Sequence, residues 1–340
     1  MALALCCLSH SPLIGIHDPD PEVRAAVDAA VADAADRVAA FDPDLVVVFA
    51  PDHLNGFLYR LMPQFCIGTA GRAIGDFGSA AGDLSVDADA ALDCAEAVLA
   101  ADVDVALSLD MTVDHGFAQP LALVLGGIAE RPVVPVFVNA AGAPRSRVAR
   151  SRALGAAVGR WAAALDRRVL LMGSGGLSHD APTPALAGAT PELRHRLIEG
   201  ITTDARRARE SSVVDVARQH AAGSGPLLAL APDFDSAFMD MMAEGRLDEV
   251  EAWRDEWLSA NFGRSVHEVR TWVAAFAALA AAGPYVVRSR FYRAIPEWIV
   301  GYGLMTAVQD AGGGPGTAGT AGAASADTAG ADTGAVGADT

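Results

Sequence analysis

Short unbroken apolar runs separated by longer amphipathic stretches fill the first half of this chain, and no other feature limits its fold as strongly. The runs at 2–8, 45–50, 105–109, 133–138 and 169–172 are too short for buried helices. Several are rich in β-branched residues, so each reads as a buried strand. Helix-like patterns lie between them, at 21–40, 88–101, 118–128 and 147–165. Asp20-Pro21 opens the first helix as an N-cap followed by proline at the first helical position. Alternating strands and helices predict an α/β fold, with a central, mainly parallel sheet flanked by helices on both faces. Beyond Pro191 the chain reads as mostly helical, with a late strand over 284–292, so the C-terminal part is expected to be helical.

Composition sets the outer limits. From residue 311 the sequence is almost only Ala, Gly, Thr, Asp and Ser, and such a segment cannot bury enough apolar area to offset backbone ordering. Residues 1–310 are expected to form one α/β domain and 311–340 a disordered low-complexity tail. Acidic residues number 42 against 25 basic ones, a net charge of −17. A polyanion repels phosphate backbones and anionic headgroups, which argues against nucleic-acid and membrane-surface roles. Every basic residue is Arg, and the absence of Lys excludes Schiff-base chemistry and a Walker lysine. The run at 272–287 is broken by Gly283-Pro284, and the uncharged N-terminus lacks the basic flank of a signal peptide. Four cysteines without a CxxC pair fit neither a zinc framework nor a disulfide scaffold, and the expected location is the cytoplasm.

Chemistry is expected beyond the carboxyl ends of the strands, where loops replace hydrogen-bonded backbone. Four of the eight histidines follow such ends: His10 in Ser9-His10-Ser11-Pro12, His53 in Pro51-Asp52-His53, His115 in Asp114-His115-Gly116, and His179 in Leu177-Ser178-His179. One loop histidine is ordinarily solvated or bonded to backbone, but four at equivalent positions point to a shared pocket. His17, His195 and His220 have no such context and read as ordinary surface residues. Imidazole both ligates first-row metals and moves protons near neutral pH. Two His and one carboxylate leave open positions suited to Fe(II). Glu268 and Glu297 are candidate carboxylates, while Asp52 and Asp114 each abut a pocket His and fit a supporting role as well. Gly173-Ser-Gly-Gly lacks both the P-loop lysine and the dinucleotide spacing, and Met172 stands where a nucleophile elbow needs Gly. These glycines read instead as a place for close backbone approach to a ligand.

Five motifs, Cys7-Leu-Ser-His10-Ser-Pro-Leu, Phe49-Ala-Pro-Asp-His53, Ile74-Gly-Asp-Phe-Gly-Ser-Ala80, Val113-Asp-His115-Gly-Phe-Ala-Gln-Pro120 and Gly173-Ser-Gly-Gly-Leu-Ser-His179, resemble the class III extradiol ring-cleavage dioxygenases. These are relatives of the protocatechuate 4,5-dioxygenase β subunit. The likeness extends through His267-Glu-Val-Arg-Thr-Trp272 and Tyr292-Arg-Ala-Ile-Pro-Glu-Trp298. It implies a catalytic domain with a non-haem Fe(2+) held by His10, His53 and Glu268, with His115 as proton donor and His179 as proton acceptor. It also implies a small catechol substrate with a propionate side chain and O2 as co-substrate, while an acidic surface with apolar late helices is compatible with a homo-oligomer. The substrate carboxylate calls for a local cation, and Arg60, Arg72, Arg288, Arg290 and Arg293 are candidates. Two other readings of the same histidines are a metal-dependent hydrolase and a non-catalytic partner subunit of a two-chain dioxygenase.

Overall fold

A computed structural model describes residues 2–310; the expected tail over 311–340 lies outside the described residues. The first half runs β1 (Ala2–Leu8), α1 (Pro21–Phe41), β2 (Leu45–Ala50), β3 (Phe65–Gly68), β4 (Gly71–Ile74), β5 (Ala81–Asp83), α2 (Ala88–Ala100), β6 (Ala106–Ser108), β7 (Met111–Val113), α3 (His115–Leu125) and β8 (Val133–Val138). The second half runs α4 (Val148–Ala164), β9 (Arg168–Ser174), α5 (Pro191–Glu199), α6 (Thr203–Ala221), α7 (Pro232–Ala243), α8 (Asp255–Phe262), α9 (Val269–Ala281), β10 (Tyr285–Ile295) and β11 (Val300–Gln309).

Eight strands form one sheet in the order β10-β11-β1-β9-β2-β8-β3-β6, and its middle, β1-β9-β2-β8, is wholly parallel. This is the α/β architecture expected from the alternation. The strands β3, β4, β5 and β7 are only three or four residues long, too short for periodicity to mark them. The late strand continues to Ile295 and pairs antiparallel with β11, whose glycines, Gly301 and Gly303, break the apolar run. Among the described residues no helix is long and apolar enough to cross a membrane.

Both faces of the parallel strands are buried, which is why they read as continuous apolar runs. In β1, Leu3, Leu5 and Cys7 enter one core, while Ala4, Cys6 and Leu8 enter the other. The first core also takes residues of α4 and α9. Helix α9 is buried from Val269 to Leu279 and, apart from Arg270 and Thr271 in its first turn, apolar all round. It can lie this close to α4 because Gly155 and Gly159 present no side chain there. A Cβ on either would sit 2.0 Å from the carbonyl oxygen of Ala274 or Ala278.

Register sets the site. Leu8 pairs with Ser174 and Phe49 with Gly173, so β1, β9 and β2 end at nearly the same level. The loops that leave these ends carry His10, His179 and His53 to one edge of the sheet.

Candidate metal centre and recess

His10, His53, His115, His179 and Glu268 line one recess of about 710 Å³, counting its open mouth. Three of the histidines arrive as expected from ends of the central sheet. His115 does not follow β6 directly. The three-residue strand β7, in a second sheet with β4 and β5, intervenes and delivers His115 as the first residue of α3. The expected strand over 105–109 shrinks to Ala106–Ser108 because the chain turns at Leu109-Asp110 into β7.

Each of the four imidazoles is held from behind through Nδ1. At His10, Nδ1 lies 2.9 Å from Ser174 Oγ, and that hydroxyl donates to Gly116 O at 2.6 Å. A hydroxyl has one hydrogen, so His10 Nδ1–H is the donor and Nε2 keeps its lone pair. Gly116 O is free because Pro120, four residues on in α3, has no N–H to give it. At His53, Nδ1 donates to Asp114 Oδ2 at 3.1 Å. At His115, Nδ1 and the backbone N–H both donate to Asp76, at 2.5 and 2.9 Å. At His179, Nδ1 donates to Leu177 O at 2.9 Å. All four Nε2 atoms are thereby left for the recess.

Asp114 and Asp52, the expected supporting residues, make different contacts. Asp114 is fully buried and caps α3 by accepting from Gly116 N, while its other oxygen also takes the His53 N–H and Asn55 Nδ2. Asp52 accepts from the N–H groups of Asn55, Gly56 and Phe57 and so shapes the turn after His53. Burial, with Asp114 adding, raises Asp52 to about 7. Burial works against an ionised Asp114 too, but His53 and His115 outweigh it and hold that carboxyl well below its ordinary value.

Glu268 sits in a short turn at the head of α9, where the helix dipole favours a negative charge. Gly176 N donates to its Oε2 at 2.8 Å. A Cβ on Gly176 would come within 2.8 Å of His179 Cε1. The glycines after β9 thus accommodate the site's own Glu268 and His179, where the sequence suggested a ligand. Glu297 does not line the recess. His267, beside Glu268, accepts from Arg270 Nη1 at 2.7 Å, and burial with Arg270 pushes it down to about 2, so it is a neutral structural residue.

The donor set fits a metal ion. His10 Nε2 and His53 Nε2 are 3.5 Å apart, and Glu268 oxygens lie 3.1 Å from the second and 3.5 Å from the first. Donors bound at about 2.1 Å and at right angles would be about 3.0 Å apart. With neutral imidazoles protonated at Nδ1 these atoms would be acceptors facing acceptors, and a cation between them, a metal ion or a proton on His53, relieves this. Burial, against the pull of Glu268, pushes His10 to about 3, which keeps it a neutral donor. Burial also disfavours charge on His53, yet Asp114 and Glu268 outweigh it and raise its pKa well above 6.5. Nitrogens of His10, His53 and His115 also fall within 4.8 Å of one another, as do atoms of Asp76, Asp114 and His115. The hydrogen bonds above already account for both carboxylates of the latter group.

The model of the catalytic LigB subunit of aromatic ring-opening dioxygenase matches residues 4–304. This chain belongs to the LigB family. Membership in a ring-opening dioxygenase family implies a metal cofactor, in keeping with the donor set just described. Among LigB relatives, a protein of Mycolicibacterium gilvum (strain PYR-GCK) is 54% identical over 308 residues, 90% of this chain and 98% of its own. It is named 2,3-dihydroxyphenylpropionate/2,3-dihydroxicinnamic acid 1,2-dioxygenase. Proteins of the same name from Mycolicibacterium vanbaalenii and a Rhodococcus species are 53% and 52% identical, over 90% and 91% of this chain and 98% and 99% of theirs.

None of the five candidate arginines for a substrate carboxylate lines the LigB recess. Arg60 pairs with Glu199, Arg72 with Asp83 and Arg290 with Asp240, all at the surface. Arg288 and Arg293 are exposed on β10, and neither lines the recess. The arginines that do line the recess, Arg206 and Arg209, come from α6, a helix with no motif to single it out. Asp76 was equally silent: it stands inside a family-like motif, and only the fold joins it to His115, 39 residues on.

Proposed function

We propose that this LigB-family chain is a ferrous-ion-dependent extradiol dioxygenase. It opens the ring of 2,3-dihydroxyphenylpropionate, and of 2,3-dihydroxycinnamate, at the bond beside the two hydroxylated carbons. Both atoms of O2 enter the product. The substrates are those in the relatives' names. The observation that carries the reading is the convergence of four back-anchored imidazoles and one buried carboxylate on a single recess.

His10, His53 and Glu268 hold the ion in this reading, and a mixed nitrogen and oxygen set with open positions suits Fe(II). When bound, the ion supplies a chelation point for both catechol oxygens, a site for O2 and a path for electrons between them. The rest of the reaction falls to the chain. His179 accepts a catechol proton at Nε2, since Leu177 O keeps Nδ1 occupied. His115 donates a proton from Nε2 when the O–O bond breaks, and the Asp76 carboxylate on Nδ1 balances the charge it carries beforehand. Asp114 keeps the His53 tautomer that leaves Nε2 a ligand, and Asp52 fixes the turn that presents it. Leu13, Val213, Trp298, Ile299 and Val300 give the ring an apolar wall. Four buried, unpaired cysteines fit a reducing compartment, and we place the enzyme in the cytoplasm.

The test is anaerobic loading with ferrous ion, followed by O2 and 2,3-dihydroxyphenylpropionate. One O2 consumed per catechol with a yellow ring-opened product is the expected result. Hydrolytic turnover without oxygen uptake would favour the metal-dependent hydrolase. Activity that appears only with a second protein chain would favour the partner-subunit reading.

A further inference from the structure

Part of the recess lining is charged and unused by the proposed chemistry. Arg206, Arg209, Glu210 and Val213 fall at i, i+3, i+4 and i+7 of α6, and all four line the recess. They form one helix face turned toward the metal ligands. The chain contains no lysine, and these two are the only arginines lining the recess among the described residues.

The charged groups nearby are otherwise engaged. Asp76 serves His115, Asp114 serves His53, and Glu210 accepts from the N–H of Phe77 at 3.1 Å. Arg209 spends its guanidinium on His53 O, at 3.3 and 3.4 Å. Arg206 differs. It is half-buried, forms no ion pair among the described residues, and its Nε is buried without a hydrogen-bond partner. A buried donor without an acceptor is costly, and a planar guanidinium fits a carboxylate fork.

We propose that Arg206 is the specificity residue of this site and receives the side-chain carboxylate of the catechol, with Arg209 adding positive charge while it holds the His53 backbone. The substrate's two hydroxyls would then sit at the His and Glu cluster and its acid group against α6. This deepens the reading of the preceding section and rests on it. It also explains how a chain with a net charge of −17 holds an anionic substrate.

The test compares 2,3-dihydroxyphenylpropionate with 3-propylcatechol, which has a similar chain and no charge, on the iron-loaded protein. The wild type should prefer the acid. Arg206→Gln should lower kcat/KM for the acid about 10- to 100-fold, mainly through KM, and leave 3-propylcatechol within about twofold. Arg206→Lys should recover part of the loss. A second readout is anaerobic calorimetry with 3-phenylpropionate, whose binding should weaken in Arg206→Gln by a similar factor. Equal loss on both catechols, or no loss on either, overturns the assignment. A wild type that cleaves neither catechol instead refutes the dioxygenase reading, and the 3-phenylpropionate titration still decides the role of Arg206.

Discussion

At Ser174 a single hydroxyl hydrogen decides which nitrogen of His10 can face a metal. It goes to Gly116 O, so the hydroxyl can only accept from His10 Nδ1. Ser174→Ala removes that anchor without touching a proposed ligand. Metal affinity should fall about 10- to 100-fold, as for other partners behind metal-bound histidines, read by chelator competition. Unchanged affinity would mean that packing alone orients the ring. Asp76→Asn tests the same device on a proton carrier. An amide facing Nδ1 no longer selects its protonated form, so kcat should fall by about 10²-fold or more while metal content stays full. Loss of metal in that variant would move His115 into the ligand set. Asp180 gives a pH prediction. Burial works to raise its pKa, but the hydrogen bonds from Arg264 and Leu228 outweigh it and hold the carboxyl below its ordinary value. Its stabilising effect is therefore present above the unfolded carboxyl pKa of about 3.9 and is lost as pH falls through the lower folded value. The Tm gap between wild type and Asp180→Asn should be widest near neutrality and close below about pH 4. A gap that persists there would show that the contribution is not ionic.

Among the elements, the α4–α9 pair carries the most consequence for the site, because α9 begins at Glu268. Its approach to α4 depends on the bare backbone of Gly155 and Gly159. Gly155→Leu should destabilise the protein by at least the roughly 1–3 kcal/mol typical of overpacked cores, seen as a lower urea midpoint. It should also weaken metal binding, since α9 cannot retreat without moving Glu268. A stability loss with intact metal affinity would mean that the turn at Val266–Glu268 is held independently, by the Gly176 N–H. Helix α3 shows a similar economy. Its cap is Asp114, its first residue is His115, and its proline releases Gly116 O to Ser174, so three of its features serve the recess. The Asp114-His115 pair and Pro120 were visible in the motif, but the purpose of the proline was not, since its beneficiary lies on β9.

For the whole molecule, burial of both sheet faces has a chemical consequence. Cys6, Cys7, Cys66 and Cys94 are all buried and unpaired, and burial pushes the thiols of Cys6 and Cys66 up to about 12. A thiolate is the reactive form, so native protein should react with a disulfide reagent only as fast as the fold opens, whereas denatured protein should show four fast thiols. Rapid native labelling of any one would mark local opening of its element. The parallel sheet was legible because strands buried on both faces must be continuously apolar, and that signal is local. The short strands β4, β5 and β7 were not, since their pairing depends on neighbours more than on their own residues.

The linear sequence determined which residues could do chemistry: four histidines placed just past apolar runs, with acidic residues beside them, on an alternating α/β pattern. The folded chain alone decided what each one faces. Ser174 behind His10, Asp76 behind His115 and Glu268 between His53 and His179 are contacts between segments far apart in the chain, and Arg206 enters the lining of the same recess from α6. A strand or helix announces itself through the periodicity of its own residues. A hydrogen-bond partner is selected by strand register and helix packing, which bring together residues that share no local pattern.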